Sequence, residues 1–317
     1  MRSSIPAGLL RVAAGAILFA ACSSGCEATG RPVSAILAEA PAPASDAEVP
    51  PEPAGMDQAA ALRRSAGCRV APANTGALAK KTTKADGKSR TYHLSVPAGL
   101  VTGRLAPLVV VLHGAGDTAA EKMRDWFGVE GKMSGSLFVY PQALQRTRSD
   151  GSGGNTTRWD LAGTEDFALF DAILDEVAAD YCVDRARVFV TGFSSGGNFS
   201  QQLACLRSKE VRALAVVAGP GPFVASCGGA VSAWMTHDTD DSTLPVKDAR
   251  DSRDFWAAQD GCDSGTWGDV AGRPECKRNT SCGAGNALVY CETSGVGHDV
   301  PEFAVGAIAE FFKSRDK

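Results

Sequence analysis

The chain has 317 residues and a net charge of −4 at pH 7, and its content of 44% hydrophobic and 21% charged residues is that of a globular protein. A small negative charge creates no field that would attract nucleic acid or an anionic membrane, so neither is expected as a partner. The length suffices for one large domain with residues to spare.

The first residues have the pattern of a bacterial export signal. Two arginines flank the start of an apolar run over 12–21, which is too short to cross a bilayer because spanning takes about 20 apolar residues. The run predicts a signal peptide over residues 1–21. Its last residues and Cys22 resemble a lipobox, in which the Cys is lipidated, although Phe19 stands where a small or aliphatic residue is usual. Membrane attachment through Cys22 and plain cleavage with release both stay open, so the protein is expected outside the cell, in the periplasm or lipid-anchored at the surface.

Residues 22–66 are rich in Ala, Pro and acidic residues and lack hydrophobic periodicity, which predicts a disordered tether. The folded domain is predicted over 67–317. It contains eight of the ten cysteines, and an even number in an exported chain indicates disulfide bonds. A zinc site would need CxxC spacings that the chain lacks. We expect the pairs Cys262–Cys291 and Cys276–Cys282 and leave the other pairing open.

Strand and helix patterns alternate along this domain. Runs of β-branched residues predict buried strands, and apolar residues at helical spacing predict helices. In chain order we predict strands at 91–96, 108–112 and 137–140, a helix at 166–181, a strand at 188–191, a helix at 195–206, strands at 214–218 and 231–236, and helices at 249–259 and 302–313. Such alternation predicts an α/β fold with a mostly parallel central sheet and helices on both faces.

The sharpest motif is Gly192-Phe193-Ser194-Ser195-Gly196, which stands between a predicted strand and a predicted helix. This is the G-x-S-x-G nucleophile elbow in its required context. Small residues two positions before and after the serine let the chain turn tightly and leave the hydroxyl exposed. The spacing predicts Ser194 as the nucleophile. The alternative is a Gly/Ser-rich turn that only caps the helix.

A serine hydroxyl needs a base to take its proton. His298 lies in a Gly-rich loop before the last predicted helix. In enzymes with this nucleophile elbow the catalytic residues follow along the chain in the order serine, acid, histidine. His298 is therefore the predicted base. Asp238, Asp240 and Asp241 follow the predicted strand 231–236, and the pattern alone does not choose the acid among them. A calcium loop is the alternative for this segment, although the closing Glu of such a loop is missing.

The predicted strand 108–112 ends at His113, and the following Gly114-Ala115-Gly116 occupies the usual place of an oxyanion loop. We predict the backbone N–H groups of Ser195 and Ala115 as the donors to the oxyanion, with His113 presenting the loop and bordering the substrate.

Several aromatic side chains are candidates to line a substrate cleft. These are Trp126, Phe127, Trp159 and Trp234, with core packing as the alternative for each of them. Trp159 follows a Gly-rich loop and Trp234 precedes the acidic segment, so these two are the predicted substrate contacts.

Four segments together resemble the secreted polyhydroxybutyrate depolymerase and feruloyl esterase family of α/β-hydrolases. They are PLVVVLHGAG at 107–116, the stretch from EDFALFDAILDEV to GFSSGGNFS at 165–200, THDTDDSTLP at 236–245 and GVGHDVP at 295–301. The third is similar to the family's His-Gly-x-x-Asp-x-x-Val-Pro, and the resemblance places Asp241 on the catalytic Asp. Asp238 replaces the Gly of that motif, and Val296 replaces a Gly two residues before His298.

The resemblance implies a single α/β-hydrolase domain that cleaves carboxylic esters through an acyl-enzyme, without a metal or an organic cofactor. Feruloyl or acetyl esters of polysaccharides and hydroxyalkanoate esters are the implied substrates, and a monomer is expected. Another hydrolase such as a lipase or peptidase is one alternative. The other is an inactive surface lipoprotein that binds ligands or partners.

Overall fold

The computed structural model describes residues 63–116, 120–147 and 154–315. The predicted signal peptide, Cys22 and most of the predicted tether lie outside these residues. The packed chain already includes Arg63, whose guanidinium is bound to the fully buried Asp184, and Ser65, which donates to the carbonyl of Tyr181. Among the described residues, packing against the domain thus extends to Arg63, and the domain predicted over 67–317 stays a prediction.

Twelve strands and five α-helices make up the described chain. The strands are β1 (Leu78–Ala85), β2 (Lys88–Ser95), β3 (Ala106–Leu112), β4 (Leu137–Pro141), β5 (Gln145–Thr147), β6 (Asn155–Thr157), β7 (Val183–Phe193), β8 (Ala213–Val217), β9 (Ser232–Asp238), β10 (Trp267–Val270), β11 (Arg273–Asn279) and β12 (Leu288–Thr293). The helices are α1 (Lys122–Phe127), α2 (Glu165–Asp180), α3 (Ser195–Leu206), α4 (Val246–Gln259) and α5 (Ala304–Lys313).

Ten of these strands form one sheet in the order β1-β2-β4-β3-β7-β8-β9-β12-β11-β10. The six central strands from β4 to β12 run parallel, and the two strands at each end are antiparallel to their neighbours. Strands such as β3 and β8 are apolar throughout because helices cover both of their faces. The predicted α/β-hydrolase architecture is confirmed.

Two hydrophobic cores flank the sheet. On one face α2, α3 and α4 bury Phe170, Phe199 and Trp256, and on the other face α1 and α5 bury Phe127 and Phe312. Burying a side chain of this size stabilises the fold by roughly 1.5–3 kcal/mol. The parallel sheet fixes the position of the site, because the carboxyl ends of its central strands all reach one edge.

Each predicted element occurs, with shifts of a few residues at its ends, but α1 and the strands β1, β5, β6, β10, β11 and β12 were missed, of which β12 belongs to the parallel centre of the sheet. β1 (LAKKTTKA) and β11 (RPECKRN) are rich in charged residues, which is typical of strands near a sheet edge that must not pair with another chain. Such strands lack the apolar run that marks a central strand. Among the described residues no helix is both long enough and apolar enough to cross a membrane.

All eight cysteines of the domain form disulfides: Cys68–Cys182, Cys205–Cys227, Cys262–Cys282 and Cys276–Cys291. The expected pairs Cys262–Cys291 and Cys276–Cys282 are wrong. Cys276 and Cys291 lie directly opposite each other on the antiparallel strands β11 and β12, with their Cα atoms 3.9 Å apart. Their pairing is set by the register of two strands of which one, β11, reads as polar.

Asp260, just after α4, carries a buried carboxyl group. One of its oxygens accepts the N–H of Val231 at 2.9 Å, and the other has no hydrogen-bond partner among the described residues. Burial raises the pKa of Asp260 to about 7, against which the single backbone hydrogen bond acts only weakly.

The raised pKa predicts a specific pH dependence of stability. The folded state holds this proton more tightly than the unfolded state, so the contribution of Asp260 is fully present at acidic pH and is lost as the pH rises from about 4 through about 7. Asp260→Asn keeps an acceptor for Val231 and cannot ionise. The variant should gain a few kcal/mol of unfolding free energy relative to the wild type between pH 4.5 and 7.5, measured by urea unfolding. Asp175→Asn, at an exposed carboxylate, is the control, and a gap that stays constant with pH would contradict the prediction.

Candidate active site

Ser194 lies at the turn between β7 and α3, where the backbone is strained. Its φ of 54° and ψ of −123° fall in a region that residues other than glycine seldom adopt. The turn is held by two backbone hydrogen bonds, from Ser194 N–H to the carbonyl of Val217 at 3.0 Å and from Asn198 N–H to the carbonyl of Ser194 at 2.8 Å. The strain is therefore supported by neighbouring elements.

Two glycines make this turn possible. A Cβ on Gly196 would lie 2.1 Å from the carbonyl oxygen of Leu112, and a Cβ on Gly192 would lie 2.6 Å from the backbone of Gly196. Both distances are far inside van der Waals contact. The glycines of the motif are thus required because β3, β7 and α3 meet with no room for a side chain.

The structure brings Ser194, His298 and Asp241 together. His298 Nε2 is 2.9 Å from Ser194 Oγ, and His298 Nδ1 is 2.7 Å from Asp241 Oδ2. An imidazole with its proton on Nδ1 donates to the carboxylate and accepts from the hydroxyl. The His298 side chain keeps 18% of its surface exposed, so the pair that it forms with Ser194 is reached from solvent.

Asp241 is buried yet held in its charged form. Burial acts to raise its pKa, but hydrogen bonds from His298 and from the backbone N–H groups of Leu244 and Thr243 outweigh it, so the pKa of Asp241 is lowered. The two N–H groups donate to Oδ1 at 2.9 and 2.8 Å, and His298 contacts the other oxygen, Oδ2. An ionised carboxylate in this place orients an imidazole and stabilises it when it is protonated.

The other two acidic candidates bind the loop that carries His298. Asp238 Oδ2 accepts the N–H of Val296 at 3.1 Å, and Asp240 Oδ2 accepts the N–H of Gly295 at 2.7 Å. Of the three carboxylates, Asp241 is the one that contacts the imidazole. Nowhere in the described ranges are three His, Cys, Asp or Glu side chains grouped as ligands of a metal ion.

His237 completes the surroundings of Asp241, and sequence reasoning gave it no role at the site. Its ring is buried, with Nε2 2.8 Å from the carbonyl of Leu244 and 3.2 Å from Asp241 Oδ2. It therefore touches both the acid and the turn that donates to the acid. Its position four residues before Asp241 in the motif was the signal that could have identified it.

The two predicted oxyanion donors lie on either side of the turn. Ser195 is the first residue of α3, so its N–H has no acceptor within the helix. Gly114 packs on the Phe193 ring, and Ala115 after it is exposed, whereas the N–H of Gly116 is already donated to Thr157. Ser195 and Ala115 remain the predicted donors.

The predicted substrate contacts at His113, Trp159 and Trp234 need correction, because all three side chains are buried, with exposures of 0, 2 and 2%. His113 accepts the N–H of Ala143, and Trp159 donates its indole N–H to the carbonyl of His113. Trp234 packs against Phe303 on the side of the sheet that α5 covers. His113 and Trp159 thus support the loop after β3 from its buried side, and Trp234 belongs to the core.

An exposed aromatic at the site is instead Trp126, on α1. Its side chain is 51% exposed and lies edge-on to Phe193 at 5.2 Å between ring centroids, and Phe193 lies 5.0 Å from the ring of His298. Sequence reasoning named Trp126 only as one of four aromatics. Its neighbour Phe127 is fully buried, and a six-residue helix cannot bury two adjacent rings on one face.

Comparison with known proteins identifies the class of protein to which this fold belongs. The family model described as FrsA-like esterase matches residues 146–227, which include the elbow. An acetyl xylan esterase from Aspergillus awamori superposes with a TM-score of 0.55 over 74% of this chain and 99% of that one, at 16% identity, which shows a shared fold. The protein is an ester hydrolase with the α/β-hydrolase fold.

Sequence relatives narrow the class further. A probable feruloyl esterase C of Aspergillus niger is 30% identical over 214 residues, covering 63% of this chain and 74% of the relative. Feruloyl esterase D of Neurospora crassa is 31% identical over 210 residues, covering 64% and 70%. The chain belongs to the feruloyl esterase family.

The contacts of His237 predict that it positions the acid without touching substrate. His237→Ala should lower kcat for ester hydrolysis about 10- to 100-fold and leave KM within about twofold, because Asp241 loses a neighbour while the substrate surface is unchanged. His237→Gln, which retains a donor near the Nε2 position, should recover part of kcat. Steady-state kinetics of the two variants measure this split. Equal losses in both variants, or a loss confined to KM, would contradict a positioning role.

Proposed function

We propose that this protein is an exported serine carboxylesterase in which Ser194 is the nucleophile, His298 the general base and Asp241 the acid that orients it. The observation that carries the proposal is the continuous hydrogen-bonded chain from Ser194 Oγ through His298 to Asp241 Oδ2, at 2.9 and 2.7 Å. The strained backbone of Ser194 supports it, because strain of this kind is kept where function needs it.

In the first half of the proposed reaction His298 Nε2 removes the proton of Ser194 as Oγ attacks the ester carbonyl carbon. The negative charge that develops on the carbonyl oxygen is stabilised by the N–H groups of Ser195 and Ala115. His298 then donates its proton to the departing alcohol oxygen, which leaves the acyl group esterified to Ser194. Asp241 stays ionised and stabilises the imidazolium.

In the second half water replaces the alcohol. His298 removes a proton from the water as it attacks the acyl-enzyme, and the proton returns to Ser194 Oγ when the acid is released. Each step uses groups of this chain and water alone. No step of this proposed reaction requires a metal ligand from the domain.

The exposed aromatic rings favour an ester of an aromatic acid. Trp126 and Phe193 form a continuous aromatic surface that ends at His298, and Val296, 37% exposed, lies two residues before that base. A planar feruloyl ring gains from stacking or edge contact with such a surface, whereas an aliphatic hydroxybutyrate chain offers no ring for this contact. Feruloyl esters are therefore our first choice of substrate, in accord with the relatives.

The four disulfides are in accord with an exported protein, since such bonds persist in oxidising compartments. Cleavage after residue 21 and lipidation at Cys22 remain predictions from the sequence. Mass spectrometry of the mature chain tests both, because an acylated N-terminal Cys22 and an unmodified N-terminus differ by the mass of the lipid.

The serine mechanism predicts the effect of removing one oxygen atom. Ser194→Ala should lower kcat for methyl ferulate by at least 10³-fold and abolish labelling by a fluorophosphonate probe, because no other described group is placed to attack the carbonyl. Ser195→Ala, at the adjacent hydroxyl, is the matched control and should keep most of the activity because its backbone N–H is retained. A folded wild type with neither turnover nor labelling would favour the binding-protein alternative.

The aromatic surface predicts a change in substrate preference. Trp126→Ala should lower kcat/KM for methyl ferulate about 5- to 10-fold, the worth of one aromatic pair, and change kcat/KM for methyl butyrate, an ester without a ring, by less than twofold. Phe223→Ala removes another exposed ring, 57% exposed, which makes no ring contact with Phe193 or His298 among the described residues, and should leave the ratio unchanged. A parallel fall for both esters in Trp126→Ala would rule out ring recognition by Trp126.

A further inference from the structure

A cavity of about 210 Å³ opens at the edge of the sheet opposite Ser194. It is formed by the first half of β7, by the turn that leads into β8, and by Arg315 after α5. The seven residues of β7 from Arg187 to Phe193 separate it from the elbow by roughly 20 Å, at about 3.3 Å per residue. An occupant of the cavity would not compete with an ester at Ser194.

The lining is strongly basic in a protein that is acidic overall. Six of its residues are basic and one is acidic, whereas the whole chain carries a net charge of −4. Part of this positive charge is balanced locally, because Arg63 and Arg187 share the buried carboxylate of Asp184, and Arg185 lies within 4 Å of Asp175 and Glu210. The other basic residues of the lining therefore determine the net charge of the cavity.

Those cations are Lys209, Arg212 and Arg315, of which the two arginines carry planar guanidinium groups. Arg212 Nη1 reaches the amide oxygen of Asn286 at 3.4 Å, and Arg315 reaches the carbonyl of Gly285 and the hydroxyl of Ser314, both at 3.3 Å. Within the described ranges neither guanidinium has a carboxylate within 4 Å. Burial and the neighbouring charges of Arg212 and Arg278 lower the pKa of Arg315, as expected for cations held together without a counter-ion.

Two arginines beside a cavity form a site for an oxyanion, since the guanidinium fork matches a carboxylate or a phosphate with two parallel hydrogen bonds. A bare ion is small for this space, because one water molecule takes about 30 Å³ and the cavity is several times larger. The volume suits a sugar ring that carries its charge with it. The Ser208 hydroxyl at the rim adds a neutral hydrogen-bonding group for such a ring.

We propose that this cavity binds the carboxylate of an acidic sugar on the polysaccharide that carries the ester, with Arg212 and Arg315 as its principal ligands. The inference rests on the proposed function for the identity of the polymer, and the binding itself needs no ester. A second contact on the opposite edge would keep the enzyme on a charged polymer while successive esters reach Ser194.

The test is a calorimetric titration of the full chain with xylo-oligosaccharides that lack any ester and differ by one glucuronic acid branch. The acidic oligosaccharide should bind and the neutral one should not. Arg212→Gln/Arg315→Gln should weaken the binding at least tenfold. Lys247→Gln/Lys277→Gln, which removes two exposed positive charges elsewhere, should keep it. Thermal unfolding checks each variant, and Arg315→Gln alone is used if the double variant does not fold.

Three outcomes would overturn the proposal: equal binding of the two oligosaccharides, equal loss in the arginine and lysine variants, or binding of inorganic phosphate at matched ionic strength without binding of the acidic oligosaccharide. None of them depends on ester turnover. A failure of the sugar site is therefore distinct from a failure of the serine mechanism, which Ser194→Ala tests separately.

Discussion

The close approach of three backbone segments at Ser194 is the constraint on which the rest of the site depends. Gly196 lies against the carbonyl of Leu112, and Gly192 against the backbone of Gly196, so β3, β7 and α3 converge where no Cβ fits. This convergence brings the loop that begins at Gly114 beside the first turn of α3. The strained serine and the two proposed oxyanion donors are consequences of one packing arrangement.

A second constraint concerns His298, the proposed base, which lies in a loop 104 residues further along the chain. Three carboxylates of one short segment fix the position of His298 through separate hydrogen bonds. Asp238 and Asp240 hold the backbone of the loop, Asp241 receives the imidazole, and His237 borders Asp241 from within the core. The sequence left the choice among these three carboxylates open and offered a calcium loop as the alternative. In the structure each carboxylate binds a different group of the segment that contains His298.

The features that depend on residues close together in the sequence could be predicted. The elbow needs glycines at fixed offsets from Ser194, and five of the six central strands contain apolar runs, so these features could be predicted, whereas the central strand β12 (LVYCET) was missed. Asp241 was predicted as the acid from a resemblance and not from the pattern, because only the folded loop shows which of the three carboxylates contacts His298. The Cys276–Cys291 pair depends on the register of β11 with β12, and the charged sequence of β11 did not indicate a strand. The exposure of Trp126 and the burial of Trp159 are set by tertiary packing, on which neighbouring residues carry no information.

The Cys68–Cys182 bridge ties the start of the domain to the residue just before β7, the strand that ends in Ser194. Tension on the chain that precedes Arg63 passes through this covalent link into the centre of the sheet, where hydrogen bonds along two neighbouring strands would have to shear together. The polypeptide between the two cysteines forms a closed loop that such a pull cannot extend. A protein held by its N-terminal segment in flowing liquid would keep β7 in register with its neighbouring strands as long as this bridge is intact.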